Sequence, residues 1–114
     1  MDMTTFLHRA LTNAELLTRE GRRYEGRILR VSADEVFNKF KFTREELVPV
    51  ISFEDGWDWI PNLSARQVLT HAWGAETDGW VSRRMAVYLV TVARTERGSG
   101  RQVEKLEKRA EPLV

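Results

Sequence analysis

"FEDGWDWIPNLSARQVLTHAWG", residues 53–74, sets a turn dipeptide, two tryptophans and a compact helical pattern in a row. Asp55-Gly56 between apolar segments is the dipeptide of tight hairpin turns, whose central residues take positive φ. Residues 47–54 are therefore expected to pair with 57–60. The stretch "SARQVLTHAWG" (64–74) then reads as one short helix. Ser64 is its expected N-cap with Gln67 at the capping-box position, Ala65, Val68, Leu69 and Ala72 fall at i, i+3, i+4 and i+7, and Gly74 is a stop.

Upstream, Thr12 and Glu15 have capping-box spacing for a short helix ending near Gly21. "RYEGRILRV" (23–31) changes to strand spacing, with Tyr24, Gly26 and Ile28 on one face and Leu29 and Val31 on the other. "EVFNKFKF" (35–42) follows a short polar break. "ELVPVISF" (46–53) is a β-branched run whose Pro49 suits an edge or a bulge. Downstream, Gly98-Ser99-Gly100 separates "RMAVYLVTVAR" (84–94) from "RQVEKLEKR" (101–109), a second hairpin. The order β, β, β, α, β, β is that of an OB-fold, the five-stranded Greek-key barrel with its helix between strands three and four. An SH3-like small barrel is the competing mainly-β reading. At 114 residues the chain is expected to be one domain, with an N-terminal helical or irregular segment (1–21), the barrel (22–109) and a tail (110–114).

Apolar content of 42% and charged content of 31% are those of an ordinary globular chain, and the net charge of +1 demands neither nucleic acid nor membrane. Charge is unevenly spread, however: 94–109 holds six basic and three acidic residues, whereas 54–78 holds five acids and one arginine. A local basic face is thereby available. No apolar run approaches the roughly 20 residues of a membrane span and no signal-peptide pattern opens the chain, so a cytoplasmic location without membrane contact is expected. The absence of cysteine excludes disulfides, thiolate nucleophiles and the common structural zinc sites.

The stretch 59–92, "WIPNLSARQVLTHAWGAETDGWVSRRMAVYLVTV", carries a further pattern. Asn62, Ser64 and Leu69 mark a turn and helix, Gly74, Thr77, Asp78 and Trp80 an acidic loop, and Arg83 and Arg84 a basic pair before the apolar strand 85–92. In these features the chain resembles a family of small, largely uncharacterised proteins encoded by bacteriophages and prophages. The resemblance implies a small OB-like barrel of phage or prophage origin and brings no established ligand or catalytic site. Ser82 stands where the family has glycine, and serine takes positive φ less cheaply.

The two histidines, His8 and His71, lie in different segments with no metal-ligand or triad spacing, and no phosphate-binding glycine loop is present. A non-enzyme with no cofactor and no metal is expected. OB-folds commonly bind single strands through stacked aromatics and basic side chains, which makes single-stranded nucleic acid the leading partner. With a two-residue loop at Asp55-Gly56, Trp57 and Trp59 share a face opposite Ile51 and Phe53 and are free to stack bases; a slip of one residue exchanges the faces. Phe40 is a further stacking candidate, and Lys39, Lys41, Arg83, Arg84, Arg94, Arg97 and Arg101 are candidates for phosphate. In "NKFKF" (38–42), alternation sets Phe40 and Phe42 opposite Lys39 and Lys41, which favours a core-facing strand over a platform. Trp73 and Trp80 are expected in the core. The alternative function is a protein-interaction module, a phage factor binding a host protein or a small particle component.

Overall fold

The computed structural model describes residues 9–38 and 43–114, with side chains at all of these positions except 33–48. Strands β1 (Arg9–Ala10), β2 (Arg23–Asn38), β3 (Thr43–Phe53), β4 (Trp57–Trp59), β5 (Arg84–Thr95) and β6 (Gln102–Pro112) build the sheet, and two α-helices, α1 (Asn13–Leu17) and α2 (Leu63–Trp73), pack around it. The strands form one curled sheet, a half-barrel, in the order β1-β4-β3-β2-β5-β6.

Strand β2 holds this sheet together because it serves two neighbours in succession. Its first part pairs antiparallel with β5, from Arg23↔Tyr88 to Arg27↔Arg84, and its second part pairs antiparallel with β3, from Ile28↔Phe53 to Asn38↔Thr43. Ile28 belongs to both sides: its N–H donates to Arg83 O at 2.9 Å, and its carbonyl accepts from Ser82 N at 2.8 Å. The β2–β3 register then shifts between Ile28 and Arg30. An inserted residue of this kind reverses the in-out alternation. Ile28 is buried, Leu29 is 48% exposed, and Val31 packs against the core after all. Simple alternation put Val31 on the outer face with Leu29, and the bulge corrects that.

The expected polar break before "EVFNKFKF" is not a break, since Ser32, Ala33 and Asp34 continue β2 in register with Val50, Pro49 and Val48. Residues 35–38 of the expected strand are therefore the far end of β2, and the remainder of it, 39–42, lies outside the described residues. Pro49 sits where β3 lacks a β4 partner, because β4 pairs with β3 only at Ile51 and Ser52. A residue without an N–H suits such a position.

Helix α2 begins earlier than Ser64. Asn62 is the N-cap, its Oδ1 accepting from Ala65 N at 2.8 Å while its Nδ2 donates to Lys108 O on β6 at 3.0 Å. An amide can accept for the helix and donate a fixed N–H to the strand together, a division of labour no single hydroxyl matches here. Gly74 ends the helix at φ 91°, as its sequence position foretells. In α1, Thr12 Oγ1 accepts from Glu15 N at 3.2 Å, the expected cap. Strand β6 runs to Pro112 with Ala110 buried, so the segment expected as a tail contributes to the sheet and the core.

The core gathers Leu11 and Leu16 from the N-terminal segment, Tyr24 and Ile28 from β2, Ile51 and Phe53 from β3, Leu69 from α2 and Met85, Val87 and Leu89 from β5. Trp80 is buried among them, as expected, whereas Trp73 is only partly buried and packs against it edge-on at 6.0 Å.

Two outcomes test these local readings. Ser82 adopts φ 70°, the conformation that glycine takes readily. Ser82→Gly should stabilise the fold by about 0.5–1 kcal/mol in urea unfolding, the left-handed penalty of about 1–2 kcal/mol less the ~0.5–1 kcal/mol of extra glycine entropy. Asn62→Ala should cost at least about 1 kcal/mol, while Ser64→Ala stays within about 0.5 kcal/mol; equal losses would return the cap to Ser64.

Candidate nucleic-acid interface

The β3–β4 turn decides which tryptophan meets solvent. Ile51 pairs with Trp59 and Ser52 with Asp58, so Glu54, Asp55 and Gly56 form a three-residue loop. Gly56 N donates to Phe53 O at 3.0 Å, and Gly56 takes φ 98°. A type I turn followed by a left-handed glycine is the common three-residue hairpin, and it moves the register by one residue from the two-residue form. Trp59 thereby joins Ile51 and Phe53 in the core at 4% exposure, which corrects its expected place on an open stacking face.

Trp57 is half-buried at the rim, and its ring already has company. The Arg9 guanidinium lies 4.2 Å from the ring centroid and that of Arg19 lies 5.4 Å away. Arg9 is positioned by β1, which pairs parallel with β4 through Arg9↔Trp57 and Ala10↔Asp58, and its Nη2 donates to Asp55 O at 2.8 Å. Arg19 is held by an ion pair with Glu15 one turn back at 3.1 Å and lies 5.1 Å from the Tyr24 ring. The Tyr24 hydroxyl donates to Asp55 Oδ1 at 2.5 Å, and its ring meets Phe53 edge-on at 5.0 Å. Gly26 makes room for that ring, since a β-carbon there would overlap the Tyr24 hydroxyl and ring edge. The result is a rim of two arginines, an indole and a phenol, with Asp55 tied into it. Nothing in the local pattern announced Arg9, Arg19 or Tyr24 as members, because their meeting depends on the curl of the sheet.

The hairpin β5–β6 provides the second basic feature. Pairing of β5 with β2 stops at Tyr88, but β5 and β6 continue as a pair to Thr95↔Gln102. Residues 93–102 are exposed throughout. This ribbon carries Arg94, Arg97, Arg101 and Lys105 against Glu96 and Glu104. Arg101 Nη2 lies 3.3 Å from Glu96, and Arg94 Nη2 lies 2.8 Å from Glu107. Both pairs sit in solvent, where an ion pair is worth about 0–1 kcal/mol and yields readily to a competing anion.

The other sequence candidates are placed differently. Arg83 Nε donates to Gly79 O at 2.9 Å with its guanidinium 5.6 Å from the Trp73 ring, and Arg84 lies 3.8 Å from Glu25. These two fasten the entry to β5 and are separate from the Trp57 rim. Phe40, Lys39 and Lys41 lie outside the described residues. His71 is exposed on α2. Among the described residues no helix is long and apolar enough to cross a membrane.

Burial, followed by the hydrogen bond to Asp55, raises the Tyr24 phenol well above its ordinary value of 10.0. The folded state favours the neutral phenol, so this stabilisation is complete below the ordinary value and disappears as pH rises towards the folded one. Alkaline spectrophotometric titration should show a tyrosine ionising late that Tyr24→Phe removes. Complete titration of all tyrosines near the ordinary value would contradict it.

No protein-family model, curated protein or solved structure matches the chain.

Proposed function

We propose that this chain is a non-catalytic single-stranded nucleic-acid-binding protein with an OB-like barrel. The observation that carries the reading is the β5–β6 ribbon, an exposed arm with Arg94, Arg97, Arg101 and Lys105 beyond the last β2 partner. The sharing of β2 between β3 and β5, with α2 between β4 and β5, favours the OB-like topology over an SH3-like one. The family resemblance supports a phage or prophage origin, and a single-strand binder of that origin acts in replication, recombination or their regulation in the bacterial cytoplasm.

In this reading the ribbon tracks phosphates while the Trp57 rim takes a base. Stacking a base on an aromatic ring is worth about 1–3 kcal/mol, against ~0.5–1 kcal/mol for an exposed cation–π pair. A base therefore displaces Arg9 from Trp57, leaving the guanidinium for the adjoining phosphate. Asp55 and Glu54 oppose phosphate at this rim, which places the electrostatic weight on the ribbon.

The protein-interaction reading draws on one observation, the adjacent exposed apolar side chains Ile60 and Leu63 at 50% and 62%. Anisotropy of a labelled oligo-dT separates the two. Binding should weaken with salt, and Arg97→Glu with Arg101→Glu and Lys105→Glu should lower the salt slope by about 0.7 for each phosphate no longer neutralised. Trp57→Ala should weaken binding about fivefold or more. Absence of binding at low salt would replace this reading with the protein-interaction one.

A further inference from the structure

A groove of ≈ 360 Å³ between α2 and the β5–β6 pair lies apart from the Trp57 rim and shares only Arg94 with the basic ribbon. Its walls include Ser64 and Val68 from α2, Tyr88 and Arg94 from β5, and Glu107 and Arg109 from β6. That volume is within the range of small-ligand pockets, roughly 300–1,000 Å³. One carboxylate satisfies both arginines: Arg94 Nη2 lies 2.8 Å from Glu107 Oε1, while Arg109 Nε and Nη2 donate to Oε2 at 3.2 Å each. The neighbouring surface supplies a hydroxyl, an exposed valine and a half-buried phenol ring, the last also visited by Arg23 at 5.8 Å.

We propose that this groove is a phosphomonoester site in which Glu107 holds the arginine pair until a phosphate takes its place. Two converging guanidinium groups recognise an oxyanion with charge and geometry together. A phosphate monoester carries about −1.5 to −2 charge on three acceptor oxygens, so it outcompetes a single carboxylate for the same donors. Tyr88 and Val68 then face whatever the phosphate bears, which suits a flat ring, and Ser64 adds a hydroxyl donor. A nucleoside 5′-phosphate and the 5′-phosphorylated end of a strand share this chemistry. Only the strand-end case rests on the nucleic-acid reading above.

Glu107 is held ionised by Arg109 and then Arg94, which lower its carboxyl pKa. It therefore blocks the arginines as an anion and is displaced by charge competition.

The test is an NMR titration of the labelled chain with adenosine 5′-monophosphate and, separately, adenosine. Saturable shifts at Ser64, Val68, Tyr88 and Arg109 with the nucleotide alone are expected. Arg94→Ala with Arg109→Ala should weaken them about tenfold or more, and Glu107→Gln should tighten them by up to about fivefold, the scale of a surface ion pair. Equal shifts with adenosine, no saturable shift, or no tightening in Glu107→Gln would overturn the site. A 5′-phosphorylated oligonucleotide shifting the same residues more strongly than its 5′-hydroxyl form assigns the strand end, and equality of the two assigns the free nucleotide. Arg97→Glu with Arg101→Glu leaves the groove intact, so failure of strand binding and failure of this site read out separately.

Discussion

Ile28 is the residue on which the fold turns. Its main chain exchanges hydrogen bonds with Ser82 and Arg83 at the start of β5, while its register partner on the other side is Phe53 of β3. One strand thus passes from one ladder to another at a single buried side chain, and the sheet must curl there. Burying an isoleucine contributes about 1.5–3 kcal/mol, but the larger consequence is geometric. The bulge after Ile28 turns Leu29 out and brings Val31 back in, so both halves of β2 face the same core. Ser82 accepts a left-handed backbone because its N–H is required at the same pivot.

The charged and aromatic surface follows from that curl. The β3–β4 turn approaches β2 near Arg27, where Glu54 N donates to Arg27 O at 3.0 Å, and Asp55 comes within reach of Tyr24. Leu11 then ties the N-terminal segment to β4 through its N–H to Asp58 O at 2.9 Å, bringing Arg9 over Trp57. On the other side of the pivot β5 outruns β2, and the excess length becomes a ribbon with little core to cover. Residues without packing partners are free to be charged, which is why the basic side chains concentrate there.

Much of the architecture was legible along the chain. Both hairpins, α2 with its terminal glycine, the Thr12 cap and the buried Trp80 are products of short-range chemistry: turn dipeptides, 3.6-residue spacing and capping side chains. The site was less legible, because a loop of three residues in place of two exchanged the faces of β4. Trp59 went to the core and Trp57 stayed at the rim. Asn62 took the cap from Ser64 because β6 offered its amide a second partner, 46 residues distant.

The sequence by itself determined the two hairpins, helix α2 with its glycine stop, the Thr12 cap, and that positive charge gathers near the second hairpin. Those properties depend on neighbours within a few residues. Tertiary structure decided the register of β3 against β4, the bulge at Leu29, the meeting of Arg9 and Arg19 on Trp57, and the pairing of Arg94 and Arg109 on Glu107. Each of these depends on residues far apart in the chain meeting, or on a backbone insertion that hydrophobic spacing does not encode. Local spacing selects elements, and the curl of β2 selects which of their side chains meet.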